Sequence, residues 1–195
     1  MLNVSIKKIQ STNKKGQLVI ISGPSGCGKT TICERLKNNS RIAQSVSFTT
    51  REPREGEQDG VDYHFIKRSE FEKYIKEEKL IEYVEYCGSL YGTPIEPVKE
   101  AIRNGKIFIL AIEFQGALQI KKKISDVTSI FIMPPDDDTL RQRLSERLTD
   151  SEADIQKRLK LAKEELEYSK HYDYCVTNDK LDDAVQKIKE ILNIS

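Results

Sequence analysis

The chain switches between short, uninterrupted apolar runs and longer segments in which apolar residues recur every three or four positions. QLVIIS at residues 17–22 is the first run, followed by IFILAIEF at 107–114, VTSIFIM at 127–133 and YCVTN at 174–178. Such runs lack the alternation of a half-exposed strand and predict strands covered on both faces, as in a parallel sheet. Each is followed by a helical pattern. In the last long one Ser151 stands as a helix cap, Asp154 closes a capping box, and Ile155, Leu159, Ala162 and Leu166 recur at spacings of four, three and four, which predicts an amphipathic helix. Strands alternating with helices predict a three-layer α/β domain with right-handed crossovers.

Residues 46–91 break this rhythm. SVSFTT, DYHFI, LIEYVEY and SLYG surround one helical stretch, SEFEKYIKEE, and predict a small mixed antiparallel insertion. No internal repeat, low-complexity segment or linker divides the chain further. Residues 1–15 read as a polar extension.

Composition narrows the picture. A chain of 195 residues is long enough to bury roughly 70% of its unfolded surface. With 37% hydrophobic residues, 32% charged residues and a net charge of +1, it has the make-up of a soluble globular protein and none of the basic excess of a nucleic-acid binder. Any anion must therefore be gripped locally. No apolar run approaches the length of about 18 residues that spans a bilayer, so no membrane association is expected. The four cysteines form no C-x-x-C pair and the start of the chain lacks the apolar stretch of a signal peptide, so the expectation is a cytoplasmic protein with reduced thiols. His64 and His171 are not read as catalytic groups or metal ligands.

The densest chemical signal is ISGPSGCGKTT at residues 21–31. Gly23, Pro24, Ser25, Gly26, Cys27, Gly28, Lys29 and Thr30 fit G-x-x-x-x-G-K-[ST] in full, between an expected strand and an expected helix, the setting that a P-loop requires. Glycines let successive backbone N–H groups converge on a phosphate at the positive end of a helix. Lys29 would reach the β and γ phosphates, the Thr30 hydroxyl would ligate Mg²⁺, and Thr31 completes the loop. A P-loop identifies a nucleoside triphosphate site and leaves the reaction open. The chain has no base-reading N-K-x-D of the GTPase kind, and one small domain with one insertion favours a small-molecule kinase.

A second constellation lies at residues 47–65, SFTTREPREGEQDGVDYHF. Arg51 and Arg54 stand three apart in a loop restrained by Pro53, Gly56 and Gly60, where two guanidinium forks could clamp a second phosphate. On charge alone a solvated turn is the stronger reading, because Glu52, Glu55 and Glu57 nearly cancel the arginines.

TTREPREGEQDGVDYHF, however, resembles the signature T-T-R-x-P-R-x-G-E-x-x-G-x-D-Y-x-F of guanylate kinases. The resemblance continues through LIEYVEYCGSLYGTP, ILAIEFQGA and VTND and covers nearly everything from residue 17 onward. It implies a P-loop nucleoside monophosphate kinase fold of the α/β class: a parallel sheet flanked by helices, with a small mixed α/β GMP-binding insertion and a helical lid. The implied division is a polar extension at 1–15 and a single domain at 16–195, with its core at 16–45 and 94–195, the insertion at about 46–93 and the lid at about 137–168. The implied reaction moves the γ-phosphoryl group of ATP to GMP with Mg²⁺, giving ADP and GDP.

By the same resemblance Ser47, Arg51, Arg54, Tyr63 and Tyr91 hold the GMP phosphate. Glu82, Thr93 and Glu113 match guanine-reading positions, Arg143, Arg147 and Arg158 match lid arginines, and Asn178 matches a position near the adenine. Guanine offers N1–H and N2–H₂ donors to a carboxylate and an O6 acceptor to a hydroxyl, which suits Glu82 and Thr93. Phosphoryl transfer depends on positioning and electrostatics, so no general base is named. Three positions depart from the family pattern: Ala111 replaces an acid near the Mg²⁺ water shell, Glu113 replaces a more usual aspartate, and Leu148 stands where glycine commonly follows the lid arginine. The alternatives are a catalytically inactive guanylate kinase-like binding module and a kinase of another nucleoside monophosphate.

Overall fold

The computed structural model describes residues 16–145 and 152–195, with the backbone alone described at Leu144, residues 152–155, Lys157 and Arg158. In chain order the strands are β1 Gln17–Ser22, β2 Ile42–Ala43, β3 Phe48–Thr49, β4 His64–Phe65, β5 Leu80–Tyr86, β6 Ser89–Pro94, β7 Ile107–Ala111, β8 Thr128–Met133 and β9 Tyr174–Thr177. The helices are α1 Lys29–Leu36, α2 Arg68–Lys76, α3 Ile95–Arg103, α4 Phe114–Lys123, α5 Asp137–Ser145, α6 Glu152–Glu167 and α7 Leu181–Ile191, with one 3₁₀ turn at Tyr168–His171. The described residues divide into two compact units, one made of 16–18, 43–110 and 115–127, the other of 19–42, 111–114, 128–145 and 152–195.

The first unit takes in the expected insertion together with residues 94–110 and 115–127. Its four-stranded sheet has the order β4-β3-β6-β5, with β3 parallel to β4 and antiparallel to β6, and β5 antiparallel to β6. Mixed pairing is what the interrupted pattern of residues 46–91 predicted. On this sheet α2 lays Phe71, fully buried, against Leu80 and Leu90, with Phe48, Ile66, Tyr74 and Ile75 around them. The helix ends before Glu78, whose φ of 52° no helix accommodates. The exposed edge of β5 is closed by Gln119 of α4, whose Nε2 donates to the Tyr83 carbonyl at 2.7 Å. In α3, Ile95, Val98, Ala101 and Ile102 form one buried stripe.

In the second unit β1, β8 and β9 run parallel, with Ile21 opposite Ile130 and Ile132 opposite Val176. Val19, Ile20, Ile21, Ile130, Phe131 and Ile132 are fully shut from solvent, as double-sided cover demands, whereas in β9, at the end of the strand order, only Val176 is buried and Tyr174, Cys175 and Thr177 are exposed, against the expectation for the run at 174–178. Each such side chain contributes about 1.5–3 kcal/mol by leaving water. Helices α5 and α6 meet through Leu140 and Ala162, with Leu159 beside them.

Two expectations change. The apolar run at 107–114 is a strand only as far as Ala111: the Ile112 N–H bonds the Ile21 carbonyl and α4 begins at Phe114. An unbroken apolar run cannot mark where a buried strand gives way to a helix. Ser151 lies outside the described residues, as do Arg147 and Leu148, so α6 is described from Glu152 without the proposed cap. The expected apolar stripe of α6 carries an acid: Glu165 is buried three residues after Ala162.

Candidate active site

β1 delivers the chain into the loop at Gly23, and α1 receives it at Lys29. Gly28 caps α1 with φ 91°, a left-handed conformation that side chains other than glycine rarely take. A Cβ there would lie 2.3 Å from Asn178 Nδ2, and one on Gly23 would lie 2.4 Å from the Ile132 carbonyl oxygen. The loop is thus closed in on its protein side, and its opposite side faces outward at the exposed Thr30 and Thr31. The first turn of a helix has N–H groups with no helical acceptor, and the helix dipole there favours an anion.

Lys29 Nζ donates to the carbonyls of Gly23 and Pro24 and pairs with Glu113 Oε1 at 3.5 Å. Glu113, implied to read guanine, therefore has its ion pair with the lysine of the glycine-rich loop. Its Oε2 is buried with no partner among the described residues. Asn178 is buried and donates from Nδ2 to the Cys27 carbonyl at 2.9 Å, so it holds the loop from behind. Arg143 of α5 donates from Nη2 to the Asn178 carbonyl at 3.2 Å, and its Nη1 is buried without a partner among the described residues. Of Arg158 only the place on α6 is described.

The thiols of Cys27 and Cys33 are buried. Burial raises the pKa of both, that of Cys33 to about 12. Glu165 is 9% exposed, and burial together with the Glu113 charge raises its carboxyl pKa to about 7.

The second unit's loop has a counterpart in the first unit, where Arg51 is held from several directions. Nη2 bonds both oxygens of Glu57 at 2.8 and 2.9 Å, Nη1 bonds the Glu52 carbonyl at 2.6 Å, and the guanidinium lies 5.7 Å from the ring centroids of Tyr63 and Phe65. Burial works against its charge, but the Glu57 hydrogen bond and the neighbouring Tyr91 outweigh that and raise the pKa. Nε is buried without a partner among the described residues. Glu57 also accepts the Arg54 backbone N–H at 2.7 Å, which fixes both arginines to one carboxylate. Tyr63 and Tyr91 meet edge to face with centroids 5.9 Å apart.

On the same sheet Thr93 Oγ1 donates to Glu82 Oε1 at 2.7 Å, and Ser47 Oγ lies 3.3 Å from Thr93 Oγ1. Glu82 is 2% exposed and Thr93 3%. Ser47, expected among the phosphate-holding residues, is thereby placed with Thr93 and Glu82. The cause is register: β3 and β6 pair Phe48 with Gly92, which sets their neighbours Ser47 and Thr93 side by side.

The model of the guanylate kinase family matches residues 15–195. The chain belongs to the guanylate kinase family. The guanylate kinase of Desulfitobacterium hafniense is 49% identical over 178 residues, covering 91% of this chain and 89% of that one. That of Halalkalibacterium halodurans is 49% identical over 180 residues, covering 92% and 88%. The crystal structure of guanylate kinase from Anaplasma phagocytophilum superposes with a TM-score of 0.79 at 33% identity, covering 92% of this chain and 86% of that one. These findings agree with the parallel sheet and flanking helices. Among the described residues no helix is long and apolar enough to cross a membrane.

Sequence reasoning passed over two residues among those of the candidate site. Glu57 was read as one of three acids cancelling the arginines, whereas it binds Arg51 at both oxygens. Glu165 was passed over on α6, although its spacing of three from Ala162 places it on the apolar face, where a charge is out of character.

Proposed function

We propose that the chain transfers the γ-phosphoryl group of ATP to GMP, with the loop at residues 23–31 taking the triphosphate and the β3–β6 sheet taking the monophosphate nucleotide. The observation that carries the acceptor choice is the buried Glu82–Thr93 pair. Its carboxylate accepts from guanine N1–H and N2–H₂, and because the Thr93 proton is already committed to Glu82, the Ser47 hydroxyl is the one that turns to O6. Adenine presents an acceptor at N1, which would face the Glu82 carboxylate and leave it unpaired; a buried, unpaired carboxylate strongly disfavours the wrong base.

Arg51, with Arg54, Tyr63 and Tyr91, holds the GMP phosphate. The Glu57 brace keeps the Arg51 fork in one orientation, leaving Nε as a buried donor for a phosphate oxygen. Lys29 is the group that would leave its loop carbonyls for the β and γ phosphates, and Arg143 Nη1 offers a second donor to the transferring group. Arg147 and Arg158 complete the lid set on the family pattern. Asn178 supports the loop that holds the triphosphate.

Mg²⁺ fits the residues present: the Thr30 hydroxyl and the unpartnered Glu113 Oε2 are hard oxygen donors, one for the ion and one for its water shell. When bound, the ion neutralises charge on the β and γ phosphates. An intact P-loop favours an enzyme over an inactive binding module. An ADP-release assay with GMP, AMP, dTMP and CMP as acceptors tests the proposal. GMP should exceed the others in kcat/KM by about 100-fold or more; AMP turning over as well as GMP would overturn it.

A further inference from the structure

Tyr83 follows Glu82 on β5, the outer strand of the first unit's sheet. On the side away from β6 its backbone is met by one side chain of α4. Gln119 Nε2 donates to the Tyr83 carbonyl at 2.7 Å, and the Tyr83 N–H donates to Gln119 Oε1 at the looser distance of 3.5 Å. A side-chain amide carries the donor and acceptor of a peptide unit, so Gln119 stands where a further strand would pair. The helix that carries it is anchored by its own buried residues Gly116, Ala117 and Ile120.

The register of β5 gives this contact a second consequence. Leu80 pairs with Pro94 and Glu82 with Thr93, so Ile81 is an extra residue, a bulge directly before the acid. A bulge re-aims the side chains beside it, and a slip of one residue exchanges the two faces of a strand. Here the faces are opposite in kind: Glu82 is 2% exposed and Tyr83 39%. The pairing sets Phe48, Gly92, Tyr83 and Gln119 in one row across the sheet, beside the row of Ser47, Thr93 and Glu82. Resting on the reading that Glu82 accepts from guanine, we infer that Gln119 is a positioning residue for base recognition. Its amide holds Tyr83 and so keeps the Glu82 carboxylate in the buried row after the bulge. The contact involves no residue of the P-loop.

The test compares Gln119→Met, Gln119→Lys, Glu82→Gln and the double variant Glu82→Gln with Gln119→Met, in steady-state kinetics with ATP and GMP varied separately and in thermal melts. Met keeps nearly the volume of Gln and offers neither donor nor acceptor, whereas Lys restores a donor for the Tyr83 carbonyl. Gln119→Met should raise the KM for GMP about fivefold, the loss of a hydrogen bond, with the KM for ATP within about twofold of wild type. Its Tm should fall by no more than about 4 °C. Gln119→Lys should return the KM for GMP to within about twofold of wild type. The double variant should match Glu82→Gln within about twofold, because Gln119 acts through that carboxylate. Glu82→Gln alone shows whether the base reading stands; an unchanged KM for GMP there ends that reading and takes the inference with it. With the base reading intact, the inference is overturned by itself if Gln119→Met leaves the KM for GMP unchanged, raises both KM values together, or fails to fold. It is equally overturned if Gln119→Lys is as impaired as Gln119→Met, or if the double variant keeps the full effect of Gln119→Met.

Discussion

The side-chain amide of Asn178 donates to the Cys27 carbonyl at 2.9 Å, joining the end of β9 to a P-loop 151 residues earlier in the chain. The same amide nitrogen occupies the space that a Cβ on Gly28 would need. Asn178→Ala leaves a buried carbonyl without its donor and should cost about 1–3 kcal/mol of stability. Gly28→Ala adds a clash and a strained φ. In the double variant the clash disappears, so urea melts should give a combined loss smaller than the sum. Strict additivity would show that the two residues do not share this space.

The buried Glu82–Thr93 pair predicts a change confined to one substrate. Glu82→Gln keeps an oxygen for Thr93 but presents an NH₂ donor to guanine's own donors. The KM for GMP should rise by about tenfold or more, and the KM for ATP should not move. Equal weakening of both substrates would detach Glu82 from base reading.

Arg51 Nη2 is shared between both Glu57 oxygens, so substitutions of the two residues should not add. Arg51→Ala removes a charged phosphate ligand and should raise the KM for GMP roughly 100-fold. Glu57→Gln leaves the guanidinium present but loosely oriented, with a rise of several-fold. Once Arg51 is gone Glu57 has nothing to orient, and the double variant should match Arg51→Ala. A double variant much worse than Arg51→Ala would give Glu57 a separate task.

Ala111 ends β7 two residues before Glu113, the partner of Lys29. If the family's acid at this position orients Mg²⁺-bound water, Ala111→Asp should lower the Mg²⁺ concentration for half-maximal rate and leave the KM for GMP unchanged. A magnesium titration in which the midpoint stays put would remove that role.

The P-loop was legible because a complete motif stood between an apolar run and a helical pattern, two independent signals in agreement. The proposed GMP side is suggested only by the family signature, since Arg51 and Arg54 against Glu52, Glu55 and Glu57 leave a net charge of just −1 to mark the loop. Ser47 was grouped with the phosphate residues because its place depends on the pairing of β3 with β6, a relation between positions 46 apart that no local pattern carries. Glu165 escaped for a different reason. Its spacing of three from Ala162 puts it on the apolar face, but on a helix rich in Lys and Glu one more acid draws no attention.

The burial of Cys27 and Cys33 shields the P-loop and the helix that follows it from thiol chemistry. A thiol held protonated and shut from solvent is a poor nucleophile, so electrophiles and peroxide meet only Cys87 and Cys175, which are exposed. Iodoacetamide applied to the native protein should label those two and leave phosphoryl transfer intact. Oxidative damage would then accumulate on the surface of this molecule without silencing it.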